Sequence, residues 1–120
     1  MELRVLPLPQ EPLDLRGDVC VVVDVIRATT ALISLFESGC RKVYLSAIRH
    51  DASVLRAAVE PDAFLCAEAD DGSAPPGFEC EPSPARLARL DLRGRTAVLA
   101  TANGTPAALA VRNAGARAVL

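Results

Sequence analysis

The stretch VCVVVDVIRATTALISLF, residues 19–36, decides the fold. Val19 to Val23 is β-branched and apolar without alternation, the pattern of a strand covered on both faces. An acid, Asp24, follows, and Arg27-Ala28-Thr29-Thr30 opens a segment whose apolar residues fall at helical spacing. A strand feeding a helix in this way is the first half of a parallel βαβ unit. Placing Asp24 directly after a buried strand is costly unless its carboxylate has a partner. At the carboxyl end of a parallel strand, however, the chain emerges at the ligand crevice of an open α/β sheet. Two readings therefore stand side by side: an Asp24–Arg27 ion pair that pins the turn with Thr29 as a helix cap, or a site.

Outward from this stretch the alternation continues. The sequence predicts a strand at Leu3–Leu6, a Pro-rich link over 7–18, a strand at Val19–Asp24 and a helix at Thr29–Ser38 closed by Gly39. A strand Lys42–Ser46 comes next. A helix over about His50–Val59 carries Val54, Leu55, Ala58 and Val59 on one face. Strand Ala63–Ala67 leads into the long loop EADDGSAPPGFECEPSP, and connections of that length are usually functional or disordered. A short helix Pro84–Leu90, strand Thr96–Thr101, helix Thr105–Ala114 and a strand starting at Ala118 complete the chain. The expected fold is a single layered α/β domain over 1–120 with a mostly parallel or mixed sheet. Because GARAVL stops inside an apparent apolar strand, and a bare edge invites pairing, we expect the native protein to continue beyond Leu120 into a larger two-half architecture. A homo-oligomer would cover the same edge.

Composition narrows the function classes. The chain has 120 residues, 51% hydrophobic, 23% charged and 3% aromatic, with a net charge of −2. No dense basic run and no aromatic platform is present, which disfavours nucleic acid. Apolar runs are too short to span a bilayer and the amino terminus lacks a basic-then-apolar leader, so a cytoplasmic protein with no membrane partner is expected. The cysteines, Cys20, Cys40, Cys66 and Cys80, form no C-x-x-C pair and the single histidine is His50, so zinc spacing is absent. Cys20 and Cys66 read as core residues, whereas Cys80, in a polar loop, is the candidate for a reactive thiol.

Three helix starts carry small polar residues suited to anions: RATT (27–30), Ser83-Pro84, and TANGTP (101–106). Ser83 and Thr105 are the expected N-caps, each with proline at the first helical position. Helix amino termini present unpaired N–H groups and partial positive charge. The N–H groups of Thr29, Thr30 and Gly104 are thus expected to face an anion, and Gly104 would let the backbone approach closely. Asp24 and Glu68 both follow strands and could share that sheet edge. Two carboxylates beside an anionic substrate suit a hard divalent cation such as magnesium. Asp70-Asp71-Gly72 reads as a solvated turn. Neither a Walker loop nor a G-x-G-x-x-G occurs.

With DVIRATT, the GFE…SP loop and TANGT in this order, the chain resembles the 2-phosphosulfolactate phosphatase family over most of its length, corresponding to the amino-terminal half of a typical member. DVIRATT places Asp24, Arg27, Thr29 and Thr30 on the family's Asp-Val-Leu-Arg-Ala-[ST]-[ST] motif. ATANGTPA places Thr101, Asn103, Gly104 and Thr105. Glu68 matches an acid, with Ala69 where the family has arginine. GFECEPSP keeps Gly77, Phe78, Ser83 and Pro84, with Glu81 and Pro82 where Gly-Asn is usual, and Pro106 stands in the place of a second arginine. The resemblance implies a magnesium-dependent hydrolase of the phosphate monoester of a small acidic molecule, as in coenzyme M biosynthesis. In that reading Asp24 and Glu68 hold Mg2+ and act in catalysis with Arg27. Arg27, Thr29, Thr30, Ser83, Asn103, Gly104 and Thr105 bind the substrate anion. The lost arginines should weaken binding of a polyanionic substrate, and the alternative, to which Ala69 and Pro82 point, is a catalytically impaired homologue that binds small anions or acts in regulation.

Overall fold

A computed structural model describes residues 2–7 and 14–120. Its elements are β1 (Val19–Cys20), α1 (Ala28–Glu37), β2 (Lys42–Ser46), α2 (Arg49–Val59), β3 (Phe64–Ala67), α3 (Pro84–Leu87), β4 (Thr96–Ala100), α4 (Gly104–Asn113) and β5 (Ala118–Val119). Strands β2, β4 and β3 form a parallel sheet in that order, while β1 and β5 pair in parallel in a separate two-stranded sheet. The α/β class is as the alternation predicts, with every named strand pair parallel. Part of the Pro-rich link lies outside the described residues. Among the described residues no helix is long and apolar enough to cross a membrane.

The core is built on β4, which is flanked on both sides and buried along its whole length. Its side chains alternate between faces, as a pleated strand requires. Ala97 and Leu99 pack with Ala31, Leu35, Cys66 and Leu87 on the side of α1 and α3. Val98 and Ala100 pack with Ala52, Leu65 and Phe78 on the side of α2. The continuous apolar runs FLCA and TAVLA thus belong to strands covered on both faces. Gly39 ends the α1 segment at φ +96°, and a β-carbon there would meet the Arg93 backbone, so only glycine fits that turn.

Several expectations are corrected. Leu3–Leu6 forms no strand, and Leu3 and Val5 are 84% and 79% exposed. The strand expected at Val19–Asp24 is two residues long and not buried: Val21 is 67% and Val23 75% exposed. Its ladder runs only against β5 and Leu120, through Leu120 N–H to Cys20 O and Val22 N–H to Leu120 O. No layer of the described chain covers its outer face. The inward face of α2 is Ala52, Leu55 and Val59, with Val54 and Ala58 exposed, because apolar residues at helical spacing span a wider arc than the part of the helix that the sheet covers. The helix at Pro84 stops at Leu87.

Cys80 is also corrected. It lies in a β-bridge with Cys66, is buried, and its Sγ–H donates to Glu81 O at 2.9 Å. Burial raises its pKa, with Glu81 adding to the effect, and burial raises that of Cys66 further, so neither is a poised thiolate.

Two measurements test this packing. Leu35→Ala should lose about 2–5 kcal/mol in urea unfolding, while Ile33→Ala on the exposed side of the same helix should stay within about 0.5 kcal/mol of the parent. Iodoacetamide at about pH 8 should modify the half-buried Cys20 first and reach Cys40, Cys66 and Cys80 only on unfolding.

Candidate anion site

Three segments that follow strands meet at one place: Asp24–Thr30 after β1, Glu68–Gly72 after β3, and Thr101–Thr105 after β4. Their organiser is Glu68. Its Oε2 accepts from Arg27 Nε at 3.0 Å and Nη2 at 2.9 Å, and its Oε1 accepts from the Ala102 N–H at 2.9 Å. Arg27 Nη2 also donates to Gly72 O at 2.7 Å. The pair is mostly shielded, with side chains 24% and 19% exposed, where charge-assisted hydrogen bonds are stronger than in water. Arg27 therefore pairs with an acid forty-one residues away, and the local Asp24–Arg27 pair offered by the sequence does not form.

Asp24 and Gly104 form the second contact. A β-carbon on Gly104 would collide with the Ala28 side chain and would stand 2.7 Å from Asp24 Oδ2. The two helix starts, α1 and α4, thus touch through a glycine that is needed for close approach rather than for positive φ. The Asp24 carboxylate lies over the first turn of α4, where the helix dipole favours negative charge. Only backbone groups of Asp24 enter hydrogen bonds among the described residues, both with Thr29.

The expected donors divide. Thr29 does not cap α1; Arg27 is the N-cap, without a side-chain cap bond. The Thr29 hydroxyl donates to Asp24 O at 2.8 Å and its N–H to the same oxygen at 3.0 Å, so both are committed. The Thr30 hydroxyl donates to Val25 O. Thr105 is not the cap of α4; Asn103 is, and Thr105 is a buried partner of Thr101, which bonds to it through backbone and hydroxyl. These threonines shape the turns by satisfying local backbone groups. The N–H groups of Thr30 and Gly104 have no acceptor among the described residues and remain open, as does the Asn103 side chain. Ser83 stands apart as N-cap of the short α3, its N–H on Glu81 O and its carbonyl accepting from Arg86 and Leu87. Asp70 and Asp71 form the expected solvated turn, Asp71 accepting from Ser73.

Glu68, expected to share a metal with Asp24, has both oxygens taken by donors, one of them a cation. Among the described residues no group of three His, Cys, Asp or Glu side chains is placed to hold a metal. Magnesium commonly uses one or two carboxylates completed by water and phosphate oxygens. Asp24 fits that smaller role and Glu68, in this geometry, does not. Sequence reasoning missed Arg49, whose Nη1 donates to Glu68 O at 3.1 Å and Asp70 Oδ1 at 3.3 Å; only the tertiary fold brings it there, and no motif marks it.

The α/β chain thus brings a guanidinium, a carboxylate and the N–H groups of Thr30 and Gly104, unpaired among the described residues, together at the ends of parallel strands. Residues 7–120 match the family described as 2-phosphosulpholactate phosphatase, and the chain belongs to that family. Similar proteins include the probable 2-phosphosulfolactate phosphatases of Deinococcus radiodurans, 38% identical, and Thermus thermophilus, 37% identical, each over 90% of this chain. That of Synechococcus sp. is 33% identical over 93%. The chain spans 43%, 44% and 46% of the length of these three relatives, less than half of each.

Gly104→Ala should force α1 and α4 apart, because the new methyl group meets the Ala28 side chain rather than the end of a flexible one. A loss of about 1–3 kcal/mol in urea unfolding is expected, together with changed amide shifts at Asp24 and Ala28 in NMR spectra.

Proposed function

We propose that the chain carries the phosphate-binding part of a magnesium-dependent phosphoric monoester hydrolase acting on a small acidic substrate. The compound in its relatives' names, 2-phosphosulfolactate, is of the right kind. The observation that carries this reading is the convergence of Arg27 and the Ala102–Gly104 turn on Glu68, with the Asp24 carboxylate against Gly104. Arg27 pairs with a phosphate oxygen through the guanidinium edge that Glu68 and Gly72 leave free. Thr30 and Gly104 offer N–H groups and Asn103 an amide. Asp24 would hold the magnesium ion, which when bound supplies charge neutralisation of the phosphoryl group. Glu68 keeps Arg27 in one orientation and fixes the Ala102 amide beside it. In phosphoryl transfer such placement of charge accounts for most of the catalysis.

The test is phosphate release by the chain from small phosphate monoesters, with and without magnesium. Arg27→Ala should lower kcat/KM by about a hundredfold or more, and Asp24→Asn should remove the magnesium dependence and the calorimetric heat of magnesium binding. Phosphate binding without turnover would identify the anion-sensing homologue instead, a reading favoured by the engagement of both Glu68 oxygens. Binding that ignores Arg27→Ala would overturn both.

A further inference from the structure

We propose that a cleft on the α2 side of Glu68 receives the acid group of the substrate, and that Arg49 recognises it; this rests on reading the Asp24–Arg27–Gly104 cluster as the phosphate site. The cleft has a volume of about 470 Å³, within the range of about 300–1,000 Å³ usual for small-molecule sites. One wall is the first turns of α2, where Arg49, His50 and Ser53 bring a guanidinium, an imidazole and a hydroxyl, with Val54 beside them. The facing wall, Pro75, Pro76 and Phe78, comes from the long loop and is apolar. A polar end against an apolar wall suits a ligand with a charged head on a short carbon stem.

Arg49 is both anchored and available. Its Nη1 is held by Glu68 O and by Asp70 Oδ1. The Asp70 side chain is fully exposed and the pair is 3.3 Å long, and an exposed pair of this kind contributes little. A carboxylate or sulfonate can therefore displace Asp70 while the carbonyl keeps the guanidinium in place. The other guanidinium nitrogens have no hydrogen bond among the described residues and can pair with two acid oxygens at once. The start of α2 adds partial positive charge to the same end of the cleft.

The link to the phosphate site is Glu68 itself. Its side chain holds Arg27 and its carbonyl holds Arg49, so two guanidinium groups are fixed to one residue. A small molecule with a phosphate at one end and an acid group at the other meets one on each side of it. Arg49 is then a specificity residue: it selects acidic phosphate esters over neutral ones.

The probes are phosphoglycolate and ethyl phosphate, of similar size and differing in the carboxylate, titrated by calorimetry with magnesium present. The parent chain should bind phosphoglycolate more tightly. Arg49→Ala should lose about tenfold or more of that preference and leave the affinity for ethyl phosphate unchanged, with Arg49→Lys regaining part. A preference for phosphoglycolate that survives Arg49→Ala, with ethyl phosphate still bound, overturns the assignment and spares the phosphate site. Failure of ethyl phosphate to bind, or binding indifferent to Arg27→Ala, overturns the phosphate site and this assignment together.

Discussion

The carboxylate of Glu68 is the constraint on which the site depends. It spends one oxygen on Arg27 and the other on the Ala102 amide, tying a residue after β3 to the segments after β1 and β4. Shielding an ion pair from water is costly, and its value lies more in fixing geometry than in stability. Here the geometry fixed is that of α1 and α4, whose starts must lie close enough for Gly104 to touch Ala28 and Asp24. An alanine at 68 would leave a mostly shielded guanidinium facing a carbonyl alone, and the amide of Ala102 without its acceptor. The charge on Glu68 therefore serves the placement of a different charge.

How much of this was legible in the sequence follows from the range of the interactions. β3 and β4 were readable because their apolar runs reflect burial on both faces, β2 because it follows a helix closed by Gly39, and the helices because their start and stop residues act locally. Val19–Val23 carries the same signal, yet only part of it pairs, because burial needs a covering layer and the described chain gives that stretch a two-residue ladder with β5. The hydroxyl residues at helix starts misled for another reason. Thr29 and Thr105 do serve the backbone of their turns, but by reaching back to Asp24 and Thr101, so both lie one residue inside helices capped by Arg27 and Asn103. The meeting of RATT with TANGT was expected from strand ends. The Arg27–Glu68 pair and the approach of Arg49 were not: position at a strand end marks Arg27 and Glu68 without telling that they pair, and nothing local distinguishes Arg49 from a solvated residue.

The family relationship and the geometry bear on different parts of the molecule. Similarity extends over nearly the whole chain but less than half of each relative. The matched span includes the segments in which Asp24, Arg27, Glu68 and Gly104 meet. Within that span Arg27 is oriented by Glu68, the turn before Gly104 is tied to the same side chain through the Ala102 amide, and the Asp24 carboxylate lies against Gly104, all by contacts inside this chain.

These contacts also divide the labour between the two acids. A carboxylate already bonded to a guanidinium and an amide is a poor inner ligand for a small, strongly hydrated cation, which would have to displace both donors and then sit against the positive charge of Arg27. Asp24 faces no such competition among the described residues, and it lies at a helix start rather than against a cation. On the proposed reading Asp24 would hold the metal, which would supply charge neutralisation to the phosphoryl group, while Arg27 pairs with a phosphate oxygen. Glu68 then belongs to the frame and Asp24 to the ligand set, a separation of roles between two residues that look alike in the sequence, each an acid at the end of a strand.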